Sequence, residues 1–217
     1  REWMWQLNRM SWWRTLAKAY AATGDPRYAR AFADQLESWV RACPRPDDLG
    51  NYEDSAWRTI EAGLRMGGSW PTAFLAFLHS AEFTDRHLVL YMKSTFEHAE
   101  HLAAAQRQPR HSNWAMMEMN GLFTAGVLFP EFEHAAEWRR LAMSRLAEEQ
   151  DRQFLADGFQ YELTPGYHNV SLLSIARALA LARAAGRDDE VPDEMVERME
   201  KGVDVDLYMM TPDGCLP

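Results

Sequence analysis

Apolar side chains recur every three or four residues along almost the whole chain, the spacing of amphipathic helices and not of strands. From about Leu7 to Ala22, Met10, Trp13, Leu16, Ala17 and Tyr20 keep that spacing. Thr23-Gly24-Asp25-Pro26 stops this helix and starts the next, with Gly at the exit and Pro in the first turn. Tyr28, Phe32, Leu36, Trp39 and Val40 mark one face of the second helix, and the two make an αα-hairpin. Cys43 to Tyr52 is a loop rich in Pro, Asp and Gly. A helix then runs from about Asp54 to Met66, with Trp57, Ile60 and Leu64 on its apolar face. Gly67-Gly68-Ser69-Trp70-Pro71 is expected to break the chain before a helix over Thr72 to Ala81. A long helix spans roughly Asp85 to Ala105, and Gln108-Pro109-Arg110-His111 leads out of it.

Ser112 to Phe129 reads as the most buried helix, because Met116, Met117, Leu122, Phe123, Val127 and Leu128 leave almost no polar face. Ser112 is placed to cap it, its hydroxyl accepting from an otherwise unpaired N–H of the first turn. Asn113 sits at the mouth of that helix, where free N–H groups and partial positive charge suit a carboxylate or sulfate. Pro130-Glu131-Phe132 ends it, roughly Glu133 to Leu155 forms another helix, and Asp157-Gly158 is a turn. Phe159 to His168 is too aromatic for an ordinary exposed loop, and it gathers Gln160, Tyr161, Glu162, Tyr167 and His168. Helices follow over Leu172 to Ala185 and about Asp193 to Met209. No set of strands is visible, so about nine helices paired as hairpins give an all-α bundle, solenoid or toroid.

Two polar rows change the picture further. Arg58, Glu61 and Arg65 share one helix face. Such a row is ordinarily a solvated salt-bridged stripe. Here Trp57 and Trp70 flank it and favour burial of part of it, and two buried Arg would need anionic partners from protein or ligand. His98 and His101 lie one turn apart beside Glu97 and Glu100, a pattern read as a solvated face, since two His without a third matched ligand make a weak metal site. Asn169-Val170-Ser171 matches a glycosylation sequon but falls at a helix start and is discounted.

The chain of 217 residues is long enough for one domain with a sizeable core, and its net charge of -9 argues against nucleic acid as partner. No apolar run approaches the roughly 20 residues needed to span a bilayer. Cys43 and Cys215 are too few for a disulfide framework. The nine Trp suit helix packing for the most part, and flat ligands such as sugar rings for the remainder. Arg1 is not a start residue and the last residues read as a turn, so residues 1–217 are expected to be one helical domain of a longer protein.

Two long motifs then carry a resemblance. The first is Asn113-Trp114-x-x-x-Glu118-x-x-Gly121, continuing through Gly126-x-Leu128-Phe129-Pro130-Glu131-Phe132. The second is Asp157-Gly158-Phe159-Gln160-x-Glu162-x-Thr164-Pro165-Gly166-Tyr167-His168. Together with Trp57-Arg58-x-x-Glu61-x-Gly63-x-Arg65, they resemble the heparinase II/III family of polysaccharide lyases. The match extends from about Leu16 to Pro217, and Asn113-Trp114 is similar to the heparan-sulfate-type members, where alginate-type relatives more often carry Asn-His.

The resemblance implies an incomplete (α/α) toroid of antiparallel hairpins followed by a β-sandwich, with this chain stopping where the sandwich should begin. It also implies a bacterial protein exported to the periplasm or secreted, an acidic glycan as partner, and no cofactor for the toroid. The implied reaction is β-elimination at a uronic acid. Its C5 proton is weakly acidic, so the neighbouring carboxylate must be neutralised. By resemblance Asn113 does this, and Tyr167 serves as base or acid. A phenol acting as base needs positive charge nearby, which Arg58, Arg65 or His168 can supply. Arg58, Glu61, Arg65, Trp114, Gln160, Glu162 and His168 complete the candidate substrate-binding set, His168 orienting Tyr167 and Gln160 or Glu162 lining the sugar pocket. A further catalytic His is expected from the sandwich.

Two rivals stand beside this reading. A glycoside hydrolase on a similar toroid would draw two carboxylates from Asp54, Glu61, Glu118 and Glu162, though no pair is singled out by spacing. A non-enzymatic helical-repeat module would need a fixed period, and none continues past the first hairpin. The glycan, its sulfation, endo or exo cleavage and the oligomeric state are not written in the sequence.

Overall fold

The computed structural model describes residues 1–47, 55–107 and 109–216. Asp54, most of the loop leading to it, Gln108 and Pro217 lie outside the described residues. The chain forms two compact units, Arg1–Gln108 and Pro109–Pro217. The all-α expectation holds: among the described residues the only β feature is an isolated bridge between Phe154 and Gln160.

The first unit holds α1 (Glu2–Asn8), α2 (Trp13–Thr23), α3 (Pro26–Ala42), α4 (Thr59–Leu64), α5 (Trp70–Phe77) and α6 (Asp85–Ala105). The helix expected from Leu7 is split, because Met10 takes a left-handed φ of 52° and turns the chain between α1 and α2. The turn between α2 and α3 forms as read: Gly24 closes α2 at φ 67°, and Asp25 caps α3 by accepting from the Arg27 N–H at 2.9 Å.

The expected break at Gly67-Gly68 is absent. Arg65–Ser69 form one wide π turn, and Trp70 and Pro71 continue directly into α5. Proline is tolerated there because it stands in the first turn of α5. The core of this unit is aromatic. Trp13 packs on Phe32 and Trp70 at centroid distances of 4.8 and 5.2 Å, and Trp39 packs on Trp57 and Trp70 at 5.7 and 5.2 Å. Trp13, Trp39, Trp57, Trp70 and Trp138 are buried, so packing explains most of the tryptophans, while Trp3 and Trp12 are exposed.

The second unit holds α7 (Asn113–Leu128), α8 (Ala135–Gln153), α9 (Pro165–Ala184) and α10 (Asp193–Met209). As its composition demands, α7 is buried from Ala115 to Gly126 on nearly every side. It lies closely along α8: a Cβ added to Gly126 would come within 2.8 Å of the Ala135 carbonyl oxygen, so only glycine admits this approach. The Arg139 guanidinium donates to the Gly126 carbonyl at 3.0 Å across the same contact.

The start of α9 differs from expectation by two turns. Thr164 caps it, accepting from the Tyr167 N–H at 3.3 Å, and Pro165 stands in the first turn. Gly166, Tyr167 and His168 therefore belong to a helix and not to a loop. Asn169 lies in this helix and donates to the Pro165 carbonyl at 3.0 Å, in keeping with the discounted sequon.

Candidate active site

Asn113 is the first residue of α7. Ser112 occupies the capping position, but its side chain makes no capping bond, contrary to the expectation. The side chain of Asn113 is directed elsewhere and donates from Nδ2 to Glu162 Oε1 at 3.0 Å. Trp114 follows, half-buried.

Glu162 belongs to the aromatic segment between α8 and α9. That segment is folded back on the end of α8 by backbone bonds from Leu155 to Phe159 and from Tyr161 to Gln153, at 2.8 and 2.7 Å. Gly158 makes the reversal at φ 91°, where its N–H donates to the Leu155 carbonyl. A Cβ there would lie 2.5 Å from the Lys201 carbonyl oxygen, so both the backbone angle and the packing select glycine. Leu163 ends the segment in a left-handed conformation, φ 55°, with its side chain exposed. Such a conformation is costly for a branched side chain and persists where neighbours hold it.

Gln160 is fully buried at the centre of this segment. Its Oε1 accepts from the Glu162 N–H at 2.9 Å, and its Nε2 donates to Glu162 Oε1 at 3.2 Å. Its backbone N–H donates to His168 Nδ1 at 3.2 Å, and His168 Nε2 donates to the Gly202 carbonyl at 3.0 Å. An imidazole that accepts at one nitrogen and donates at the other is neutral. His168 therefore does not supply positive charge to Tyr167; it ties the Gln160 backbone to α9 and α10. The chain of bonds Asn113–Glu162–Gln160–His168 thus joins the start of α7 to the first turn of α9. Tyr167 projects from that turn half exposed, and no hydrogen bond to its hydroxyl forms among the described residues.

Beneath this chain lies a group that the sequence reading passed over. Glu149 has no exposed surface and accepts from His111 Nδ1 at 2.7 Å, Arg145 Nη2 at 2.8 Å and Gln153 Nε2 at 2.7 Å. The signal was available: Arg145, Glu149 and Gln153 recur every four residues on a helix, a polar row alongside apolar Ala142 and Leu146.

In the first unit, Arg58, Glu61 and Arg65 are all buried, and neither arginine points into bulk solvent. Glu61 has no exposed surface and accepts from Arg9 Nε at 2.6 Å and from Arg58 Nε at 3.1 Å. The Arg58 guanidinium lies 3.6 Å from the centre of the Trp5 ring. Arg65 donates to His98 Nε2 at 2.8 Å and to the Asn8 carbonyl at 3.1 Å. Burial pushes its guanidinium down to about 9, so it is charged at neutral pH. Glu61 and Arg65 thus have their partners inside the protein and present no surface to a ligand.

His98 and His101 overturn the solvated-face expectation, for neither has exposed surface. Trp57 covers both, at centroid distances of 4.4 and 5.3 Å. Burial, reinforced at His98 by the Arg65 charge, pushes His98 well below its ordinary value, and burial pushes His101 down to about 4. No group of three candidate metal ligands is assembled among the described residues. Of the carboxylates weighed for a hydrolase, Glu61 and Glu118 are buried, Glu162 is half-buried and bonded to Asn113, and Asp54 lies outside the described residues.

Comparison with known proteins gives the chain its relatives. The heparin-sulfate lyase of Pedobacter heparinus is 33% identical over 98% of this chain and 32% of its own length. The heparin-sulfate lyase of Bacteroides stercoris is 30% identical over 98% of this chain and 34% of its own. The crystal structure of heparan sulfate lyase HepC from Pedobacter heparinus superposes with a TM-score of 0.82 at 32% identity, over 98% of this chain and 33% of that one. The chain therefore spans about a third of the length of the curated relatives it matches. The model of the heparinase II/III N-terminus matches residues 1–217, and the chain belongs to that family.

Proposed function

We propose that the protein carrying this chain is a bacterial polysaccharide lyase, periplasmic or secreted, that cleaves a uronic-acid-containing glycan of the glycosaminoglycan type by β-elimination. The observation that carries this reading is the pair of helix starts in the second unit. Asn113 opens α7 and Tyr167 stands in the first turn of α9, and the Glu162–Gln160–His168 chain spans the two starts. The names of the relatives support the substrate class.

The chemistry follows from the groups. Asn113 has one amide hydrogen on Glu162, which fixes its plane, and a second to donate to the uronate carboxylate. Neutralising that carboxylate stabilises the charge that develops when the C5 proton leaves. Tyr167 exchanges the proton: its phenolate oxygen takes the C5 proton, the C5–H electron pair becomes the C4–C5 double bond as the C4–O bond breaks, and the phenol then returns the proton to the oxygen of the leaving sugar. The half-exposed phenol can reach a bound sugar, and its anchor in a capped helix turn keeps it in place.

Tyr167→Phe removes only the hydroxyl. In the protein carrying this chain it should leave the fold intact and lower turnover on heparan sulfate by on the order of 100-fold or more. The measurement is the near-ultraviolet absorbance of the unsaturated uronate product. Full activity in this variant, on a glycan that the parent cleaves, would overturn the assignment.

A further inference from the structure

Glu149 is a carboxylate in a place that is costly for one. It has no exposed surface, and a buried charge is tolerated only when paired and hydrogen-bonded. Three donors converge on it, and each leads toward Asn113. His111 stands two residues before Asn113, and its ring donates to Glu149 Oε1. Arg145 donates to the same oxygen and, at 3.4 Å, to the carbonyl of Arg110, so the segment entering α7 is held on two sides. Gln153 donates to Glu149 Oε2 and accepts from Gln160 Nε2 at 3.3 Å. Gln160 in turn holds Glu162, and Glu162 holds Asn113. The bonds close a ring that starts at Glu149, runs through both neighbours of the α7 mouth, and meets again at Asn113.

The ring has one sense, set by the carboxylate of Glu149 at one end and that of Glu162 at the other. A carboxylate only accepts, so the NH2 of Gln153 must face it and the carbonyl oxygen of Gln153 must face Gln160. That oxygen draws the NH2 of Gln160, which leaves Gln160 Oε1 for the Glu162 N–H. Glu162 Oε1, on which the Gln160 NH2 also rests, accepts from Asn113 Nδ2 and so holds the Asn113 amide in place. A neutral amide at position 149 offers one accepting oxygen in place of two, so His111, Arg145 and Gln153 cannot all be held, and the Gln160 NH2 loses a fixed partner in Gln153.

We infer that Glu149 is a positioning residue for the elimination, acting on Asn113 through Gln153, Gln160 and Glu162 and through the His111 segment. This rests on the role proposed for Asn113. Side chains that orient the groups around a reacting centre change activity by roughly 10- to 100-fold when replaced.

The test uses Glu149→Gln and Gln153→Leu in the protein carrying this chain, each with and without Asn113→Ala. Gln153→Leu cuts the relay while Glu149 keeps Arg145 and His111, so it decides the matter should Glu149→Gln fail to fold. Each single variant is expected to lower kcat roughly 10- to 100-fold with KM changed by no more than about twofold. Neither is expected to add a further loss on top of Asn113→Ala, because both act through that residue. A merely structural role would lower the folded fraction and leave kcat per folded molecule unchanged, and that result overturns the inference. Additive losses in the double variants overturn it as well. If Asn113→Ala itself keeps full activity, the role of Asn113 falls and this inference with it. If Asn113→Ala is inactive while both single variants keep kcat within about twofold, only this inference falls.

Discussion

Replacing Glu61 by Ala should be among the most damaging single changes in the first unit. Glu61 has no exposed surface, and Arg58 and Arg9 both donate to it. Arg58 is 7% exposed and cannot readily turn to water, because the Trp5 ring covers its guanidinium at 3.6 Å. Arg9, with 22% of its side chain exposed, can be rehydrated and contributes little to the cost. Breaking a buried pair by removing one partner costs about 3–5 kcal/mol, and the Arg58–Glu61 half sets the size here. At roughly 2–4 °C per kcal/mol for a chain of this length, Tm should fall by roughly 6–20 °C. Urea unfolding followed by far-ultraviolet circular dichroism gives the free energy directly. The Arg58→Met, Glu61→Met double variant should recover much of the loss, since apolar side chains of similar volume often replace a buried pair at no cost. A single-variant cost below about 1 kcal/mol, or additive losses in the double variant, would refute the reasoning.

The two helix caps should respond oppositely: Thr164→Ala should cost about 1 kcal/mol because its hydroxyl accepts from the Tyr167 N–H, while Ser112→Ala should be nearly neutral, and equal costs in urea unfolding contradict this. Stability should also depend on acid through the buried histidines. His101 is held at about 4 against an ordinary 6.5 and His98 well below 6.5, so below about pH 6.5 the unfolded chain binds more protons and stability is lost as pH falls. The slope approaches roughly 1.4 kcal/mol per pH unit for each histidine, and the His101 share is spent by about pH 4. His101→Gln, which keeps a donor for the Trp57 carbonyl, should flatten the curve between those limits, and an unchanged slope counts against the assignment.

The helices were legible because their signals are local. Apolar spacing gave α3, α6, α7, α8 and α10 to within a few residues, and Gly24-Asp25-Pro26 gave the first turn. Thr164-Pro165 carries the same cap-and-proline signal for α9, but the aromatic residues around it mask the helix start. The π turn at Arg65–Ser69 was not legible, since paired glycines read as a break, and here helical hydrogen bonding and buried neighbours carry the chain through. The candidate site divides along the same line. Asn113 and Tyr167 stand out through long motifs. The near partners of Glu61 and Glu149 stand in the local rows, but Arg9 and His111 are hidden because they come from distant segments: α2 and α3 separate Arg9 from Glu61, and His111 precedes α7 while Glu149 lies on α8. His98 and His101 look solvated by pattern, and only the tertiary packing of Trp57 against them shows otherwise.

The central claim is elimination at a uronate, and the route of oxygen tests it most directly. The protein carrying this chain would digest heparan sulfate in water labelled with heavy oxygen, and the products would be weighed by mass spectrometry while near-ultraviolet absorbance is followed. Elimination breaks the C4–O bond without water, so absorbance should rise and no label should enter the new ends. Label in the products with no rise in absorbance would show hydrolysis and contradict the account.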